Sequence, residues 1–251
     1  GMPVDMEKIT FIAKKYNLKV IEDCALAVGT HFKDKHAGLW GDTGCFSFYP
    51  VKHFTTAEGG MLITKHSEVA EKIARQKAFG VDRTVSERKV PGIYDVNMLG
   101  FNYRMNEIQA ALGIEQMKRV PEFLRIRERN HSHLEKHLIE INEIRLLKSS
   151  RGNFKSSYYC LSILLNKTLE RKRYEIVKYL NAHGVGTSIY YPHPIPHLSY
   201  YKEKYGYKKT TFPNAARISN SSIAFPVGPH LNEEDMNYIA EMLKKAIKSV
   251  K

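Results

Sequence analysis

The sequence predicts a mixed α/β protein, and three observations carry that expectation. Short apolar strands recur, at Lys19–Asp23, Cys45–Tyr49, Gly60–Thr64 and Tyr158–Leu165. Amphipathic helical stretches separate them, with apolar residues recurring every three or four positions. The stretch Cys45–Thr64 reads strand, turn, strand, and its turn holds Pro50, Lys52, two threonines, Glu58 and Gly59-Gly60. The other elements are arranged around this turn.

In chain order, Asp5–Asn17 reads as a helix with Ile9, Ile12, Ala13 and Tyr16 on one face, capped by Asp5. A strand ending at Glu22-Asp23 follows. Residues Ala27 to Gly38 read as a hairpin turning near Asp34-Lys35. After the second strand of the lysine turn, Ser67 is the expected cap of a helix reaching about Ala78. From Gly80 to Gly100 no period is visible, and loops of that length tend to carry function or contact partners. Two helices are expected next, Asn106–Met117 and a longer one opened by Pro121 and reaching Ile141. The remainder reads as a smaller α/β domain. It comprises a strand at Tyr158–Leu165, a helix at Arg171–His183 closed by Gly184, and a strand at Gly186–Tyr191 running into a Pro/His-rich turn. A short helix at Asn214–Asn220, a strand at Ile223–Phe225 and a helix capped by Asn232 complete it.

Composition bounds the function. The chain has 251 residues, a formal net charge of +13 and 3 cysteines. Lysine and arginine are spread over helix faces rather than gathered with aromatics, which argues against nucleic acid and favours an anionic small substrate. No apolar run reaches the length of a membrane span, and the first residues lack the pattern of a signal peptide. A cytoplasmic protein without membrane or nucleic-acid partners is therefore expected. Cys24, Cys45 and Cys160 lie in apolar contexts without metal-ligand spacing, and prolines interrupt His193 and His197; no metal site is expected.

The chemistry follows from a pair of groups. Lys52 is a lone amine between two buried strands, and Asp23 is a carboxylate at the end of another strand. That pair suits pyridoxal 5′-phosphate (PLP). A lysine forms the Schiff base with the cofactor, and a carboxylate keeps the pyridine nitrogen protonated.

Five motifs then make a resemblance specific. The chain has Ile21-Glu22-Asp23-Cys24-Ala25, Gly41-Asp42, Ser47-Phe48-Tyr49-Pro50-Val51-Lys52, Glu58-Gly59-Gly60-Met61 and Asn102-Tyr103-Arg104-Met105, in that order. It resembles, nearly end to end, the DegT/StrS-type sugar aminotransferases, a fold-type-I PLP family. The resemblance implies a PLP-dependent transferase fold with a large domain and a small C-terminal α/β domain, here at 1–130 and 131–251. It implies transamination of a nucleotide-linked keto sugar, with glutamate as the expected donor, in polysaccharide or cell-envelope sugar biosynthesis. Lys52 and Asp23 are the implied catalytic residues. Ser47 is the implied phosphate-binding hydroxyl, and Asn102 is implied to reach the cofactor of a partner in a homodimer. Tyr191 and His193, with His197 nearby, match the substrate-side loop. Arg104 is expected to support its own loop by ion pairing.

Two departures are visible. The family usually places Gln or His three residues after the aspartate, where this chain has Leu26. The chain also starts where the family's large domain is already under way, ahead of which the family keeps its Gly/Ser/Thr-rich phosphate turn and a ring-stacking aromatic. An incomplete parallel sheet is the expectation. An alternative expectation follows, a truncated and catalytically impaired member that folds and associates without efficient PLP binding.

Overall fold

The computed structural model describes residues 1–83, 85–147 and 149–251. The chain divides into two compact units, Gly1–Pro121 with Gly152–Ser157, and Glu122–Arg151 with Tyr158–Lys251.

The first unit opens with helix α1, Met6–Lys15, whose first turn Asp5 caps by accepting the Lys8 N–H at 3.1 Å. Strands β1 (Ile21–Asp23), β4 (Thr43–Ser47) and β5 (Gly60–Thr64) form one sheet in the order β1-β4-β5. β1 and β4 run parallel with Asp23 opposite Cys45; β5 returns antiparallel, placing Gly60 opposite Ser47. Between β1 and β4, β2 (His31–Phe32) and β3 (Lys35–His36) form the expected hairpin, and β7 (Phe154–Lys155) pairs with β2 from far along the chain. Helix α2 spans Ser67–Gln76. Its N-cap is His66 with no side-chain bond, so Ser67 is the first helical residue rather than the cap.

The β1–β4 pair depends on one buried carboxylate. Glu22 accepts backbone N–H groups from Gly38 at 2.8 Å, Trp40 at 2.7 Å and Gly41 at 2.6 Å, which folds the connecting segment back over the strand. Gly44 on β4 permits this approach, because a Cβ there would stand 2.5 Å from Gly38 Cα.

Helix α3 runs without interruption from Glu107 to Leu138, with Pro121 inside it. Two helices were the expectation; proline removes one N–H and crowds the preceding turn, yet strong helix formers on both sides carry the helix through. Asn106 and Gln109 form a reciprocal cap at its start, at 2.9 and 3.1 Å.

In the second unit, β6 (Ile144–Leu146), β8 (Cys160–Leu165) and β9 (Ser222–Pro226) make an antiparallel sheet in the order β6-β8-β9. Helices α4 (Arg173–Ala182), α5 (Ser199–Tyr205), α6 (Pro213–Ser221) and α7 (Glu233–Ser249) complete it. Leu134, Leu138, Ile163, Ile176, Ile223 and Leu243 are fully buried in its core. Asn232 caps α7 in a reciprocal box with Asp235. The expected strand at Gly186–Tyr191 is reduced to a single bridge, Ser188 opposite Ala224.

Candidate active site

The lysine turn is held at both ends. Ser47 closes β4, and Phe48 N–H continues the pairing to Gly59 O at 2.9 Å. Phe48 then turns inward onto Phe54, with ring centroids 4.6 Å apart and both rings buried. The Phe48 carbonyl accepts from Thr56 N–H at 3.0 Å and from Thr55 Oγ1 at 2.9 Å. Within this frame Lys52 N–H bonds Tyr49 O at 3.0 Å, a tight turn that sets the half-buried lysine just past the strand. Buried His53 anchors the turn to Ser157 O at 3.3 Å.

Gly59-Gly60 and the later Asn-Tyr-Arg-Met motif meet at this loop. A Cβ on Gly59 would stand 2.3 Å from Thr56 Oγ1 and 2.9 Å from Met105 Cε. One on Gly60 would meet Phe46 O at 2.7 Å. Gln109 Nε2 donates to Glu58 O at 2.9 Å. The two motifs are therefore in contact although 44 residues separate their first members, Glu58 and Asn102.

Asp23 ends β1, and its Oδ1 accepts the Ala25 N–H at 3.0 Å. Because β1 and β4 are parallel and Asp23 pairs with Cys45, strand alternation puts Asp23, Cys45 and Ser47 on one face. Asp23 and Ser47 thus stand at the C-terminal ends of parallel strands, where open α/β sheets bind their ligands. Leu26, where the family pattern has a polar group, offers its carbonyl to Ser157 Oγ at 3.0 Å.

Asp42 serves the strand rather than the site. Its Oδ2 accepts from Val20 N–H at 2.8 Å and its Oδ1 bonds His66 Nε2 at 2.9 Å. The Val20 bond, with help from His66 and Lys19, holds the carboxyl down to about 2. This and the Glu22 clamp are roles that sequence reasoning missed; their only local signal is an acid flanking a short strand.

Asn102 sits exposed in a one-residue bridge with Ala78, steadied by Phe101 N–H to Gln76 O at 2.7 Å and Tyr103 N–H to Lys77 O at 2.8 Å. Among the described residues Arg104 has no ion pair of the expected kind; its guanidinium lies 4.5 Å from the centroid of the Phe79 ring.

In the second unit, Tyr191 and His193 are exposed on the Pro-rich turn, and His197 Nε2 contacts Thr211 O at 2.8 Å. His193 and His197 line a cavity of about 440 Å³ with Lys202, Tyr207, Lys209 and Asn220. Helix α5, missed in the sequence, supplies Lys202.

A parallel strand pair ending in a carboxylate and a hydroxyl, followed by a lysine turn, is the arrangement of the fold-type-I PLP-dependent transferases. The chain belongs, more particularly, to the DegT/DnrJ/EryC1/StrS aminotransferase family, which matches residues 1–244. It is 34% identical to the GDP-perosamine synthase of Escherichia coli O157:H7, over 98% of this chain and 63% of that one. It is 30% identical to a UDP-4-amino-4,6-dideoxy-N-acetyl-beta-L-altrosamine transaminase of Campylobacter jejuni, over 100% of this chain and 64% of the relative. Among solved structures, an aminotransferase of pseudoaminic acid biosynthesis from Helicobacter pylori superposes with a TM-score of 0.89 at 27% identity, covering 98% of this chain and 64% of that one. The chain thus spans about 64% of the length of such relatives. Among the described residues, no helix is long and apolar enough to cross a membrane.

Proposed function

We propose that this chain carries the lysine half of a PLP-dependent sugar aminotransferase acting on a nucleotide-linked keto sugar, with glutamate as donor, in cell-envelope or polysaccharide sugar synthesis. The observation that carries the proposal is the Lys52 turn, pinned five residues beyond the end of β4 with Asp23 at the end of the adjacent parallel strand. The residues fit the cofactor: an amine on a tight turn, a carboxylate and a hydroxyl on one face of two parallel strands. When bound, PLP supplies the electron sink that stabilises negative charge at the donor's α-carbon.

The chain's own groups have separate tasks. Lys52 Nζ is the nucleophile for attachment and afterwards the base that carries a proton at the reacting carbon. The Asp23 carboxylate holds the proton on the ring nitrogen, and its Ala25 bond fixes the orientation. Ser47 donates its hydroxyl to the phosphate, and Asn102 serves the site of a second copy in a homodimer. Tyr191 and His193 contact the sugar nucleotide. The reading includes a large-domain portion at 1–130, a small domain at 131–251 and a cytoplasmic setting.

Incubation with PLP, borohydride reduction and peptide mapping tests the assignment; the pyridoxyl mass belongs on Lys52. Label on another lysine with none on Lys52 would refute it. Lys52→Ala is expected to slow the glutamate half-reaction by roughly 10³-fold or more with the melting temperature little changed.

A further inference from the structure

Among the described residues, no three His, Cys, Asp or Glu side chains gather as a metal site. Two histidines do converge with an amide from another helix. His133 and His137 lie one turn apart on α3, so both rings leave the same helix face. Their Nε2 atoms are 3.3 Å apart. The rings are tilted by 48° rather than stacked. From α7, Asn237 Oδ1 lies 2.8 Å from His133 Nε2. The Glu233 carboxylate faces the opposite nitrogen, 3.6 Å from His133 Nδ1, with Arg129 3.9 Å from its other oxygen.

Proton accounting gives this arrangement a chemical meaning. Without a metal, the 2.8 Å contact is a hydrogen bond from His133 Nε2–H to Asn237 Oδ1; shifting that proton to Nδ1, which the Glu233 carboxylate faces, would free Nε2 as a lone pair. That lone pair then faces an amide oxygen and a second imidazole nitrogen. A single proton can bridge only two of these three atoms, whereas a cation can satisfy all three. The nitrogen–nitrogen spacing also fits a cation, whereas the amide oxygen, now at hydrogen-bond distance, would draw back by about 0.5 Å on binding. Two nitrogens bound to zinc at about 2.0–2.1 Å and separated by a tetrahedral angle stand about 3.3 Å apart.

We propose that His133, His137 and Asn237 form a binding site for a divalent transition-metal ion of the zinc class, with water in the fourth position. Glu233 acts behind it, fixing the His133 tautomer, as carboxylates do behind metal-bound imidazoles. Two imidazoles and one oxygen suit zinc, nickel or copper; calcium and magnesium call for a shell of oxygens. The ion would clamp α3 to α7 within the second unit, independently of the lysine turn.

Calorimetric titration of tag-free, chelator-stripped protein with zinc chloride tests the proposal. The expected result is one ion per chain and a melting temperature that rises with zinc concentration. His137→Gln should weaken binding at least tenfold, and Glu233→Gln about tenfold. Asn237→Leu, which leaves both histidines in place, should also weaken it. The His133→Gln/His137→Gln double variant, checked for folding by circular dichroism without metal, should lose both binding and the thermal shift. Absence of one-to-one binding in the parent chain would overturn the site. So would an isotherm unchanged in the double variant, which would place the zinc elsewhere.

Discussion

Glu22 shows how one side chain can set up a site that it does not join. Three backbone N–H groups end on its carboxylate, and the same residue lies next to Asp23. Replacing it with alanine strands those donors in a buried place, and each unpaired buried donor is costly. Glu22→Ala is expected to destabilise the fold by on the order of 3 kcal/mol in urea unfolding. His131 makes a pH-dependent contribution. Burial pushes its imidazole down to about 4, with Glu135 3.9 Å from one ring nitrogen, Ser149 Oγ 3.2 Å from the other and the Tyr158 ring at 5.0 Å. The unfolded chain takes up this proton near the ordinary value of about 6.5, while the folded chain resists it until about 4. Stability is therefore fully present above the unfolded value and falls as pH drops between the two, by on the order of 3 kcal/mol in all. Urea midpoints measured from pH 7 to 4 should show that slope, and His131→Gln should flatten it. At this scale the sequence was most legible where chemistry is local. Lys52 and Asp23 are singled out by residue type and Ser47 by the family resemblance, whereas the tasks of Glu22 and Asp42 depend on partners 16 to 24 residues away.

Among elements, α3 departs furthest from its sequence pattern. Pro121 reads as a helix start, and the structure passes it in mid-helix. The second half is fixed by Asn130, fully buried, whose Nδ2 donates to Leu231 O at 2.9 Å and Gly228 O at 3.1 Å, while Arg129 donates to its Oδ1. Asn130→Asp would turn acceptors toward those carbonyls. A loss on the order of 3 kcal/mol is expected, read from thermal or urea unfolding. Strands β4 and β5 were legible because their apolar runs flank an unmistakable turn. Helix α5 was not. Its sequence, SYYKEKY, carries no apolar stripe, and it is closed by the left-handed Gly206, φ 69°. The strand expected at Gly186–Tyr191 pairs only at Ser188, which bridges to Ala224 on the outer edge of β9.

At the level of the whole molecule, large apolar side chains stand exposed on the chain segment around Asn102. Ile108 is 83% exposed, Leu99 78% and Tyr103 73%. Exposed apolar side chains grouped along one segment are candidate contact surface, and this is the segment that holds Asn102 in the proposed homodimer. Sedimentation is expected to show a dimer or larger species, with Ile108→Glu weakening association at least tenfold; a monomer at high concentration would contradict this. The connectivity of the first unit has a further consequence. His31 and Phe32 pair with Lys155 and Phe154, Leu26 O receives the Ser157 hydroxyl, and His53 reaches Ser157 O. A ribosome delivers residues in order, so the β2 edge emerges early and waits for more than a hundred residues before its partner strand exists. All of α3 is made in that interval. The lysine turn therefore leaves the ribosome without its His53 anchor, and nascent chains arrested before Phe154 should expose it to protease.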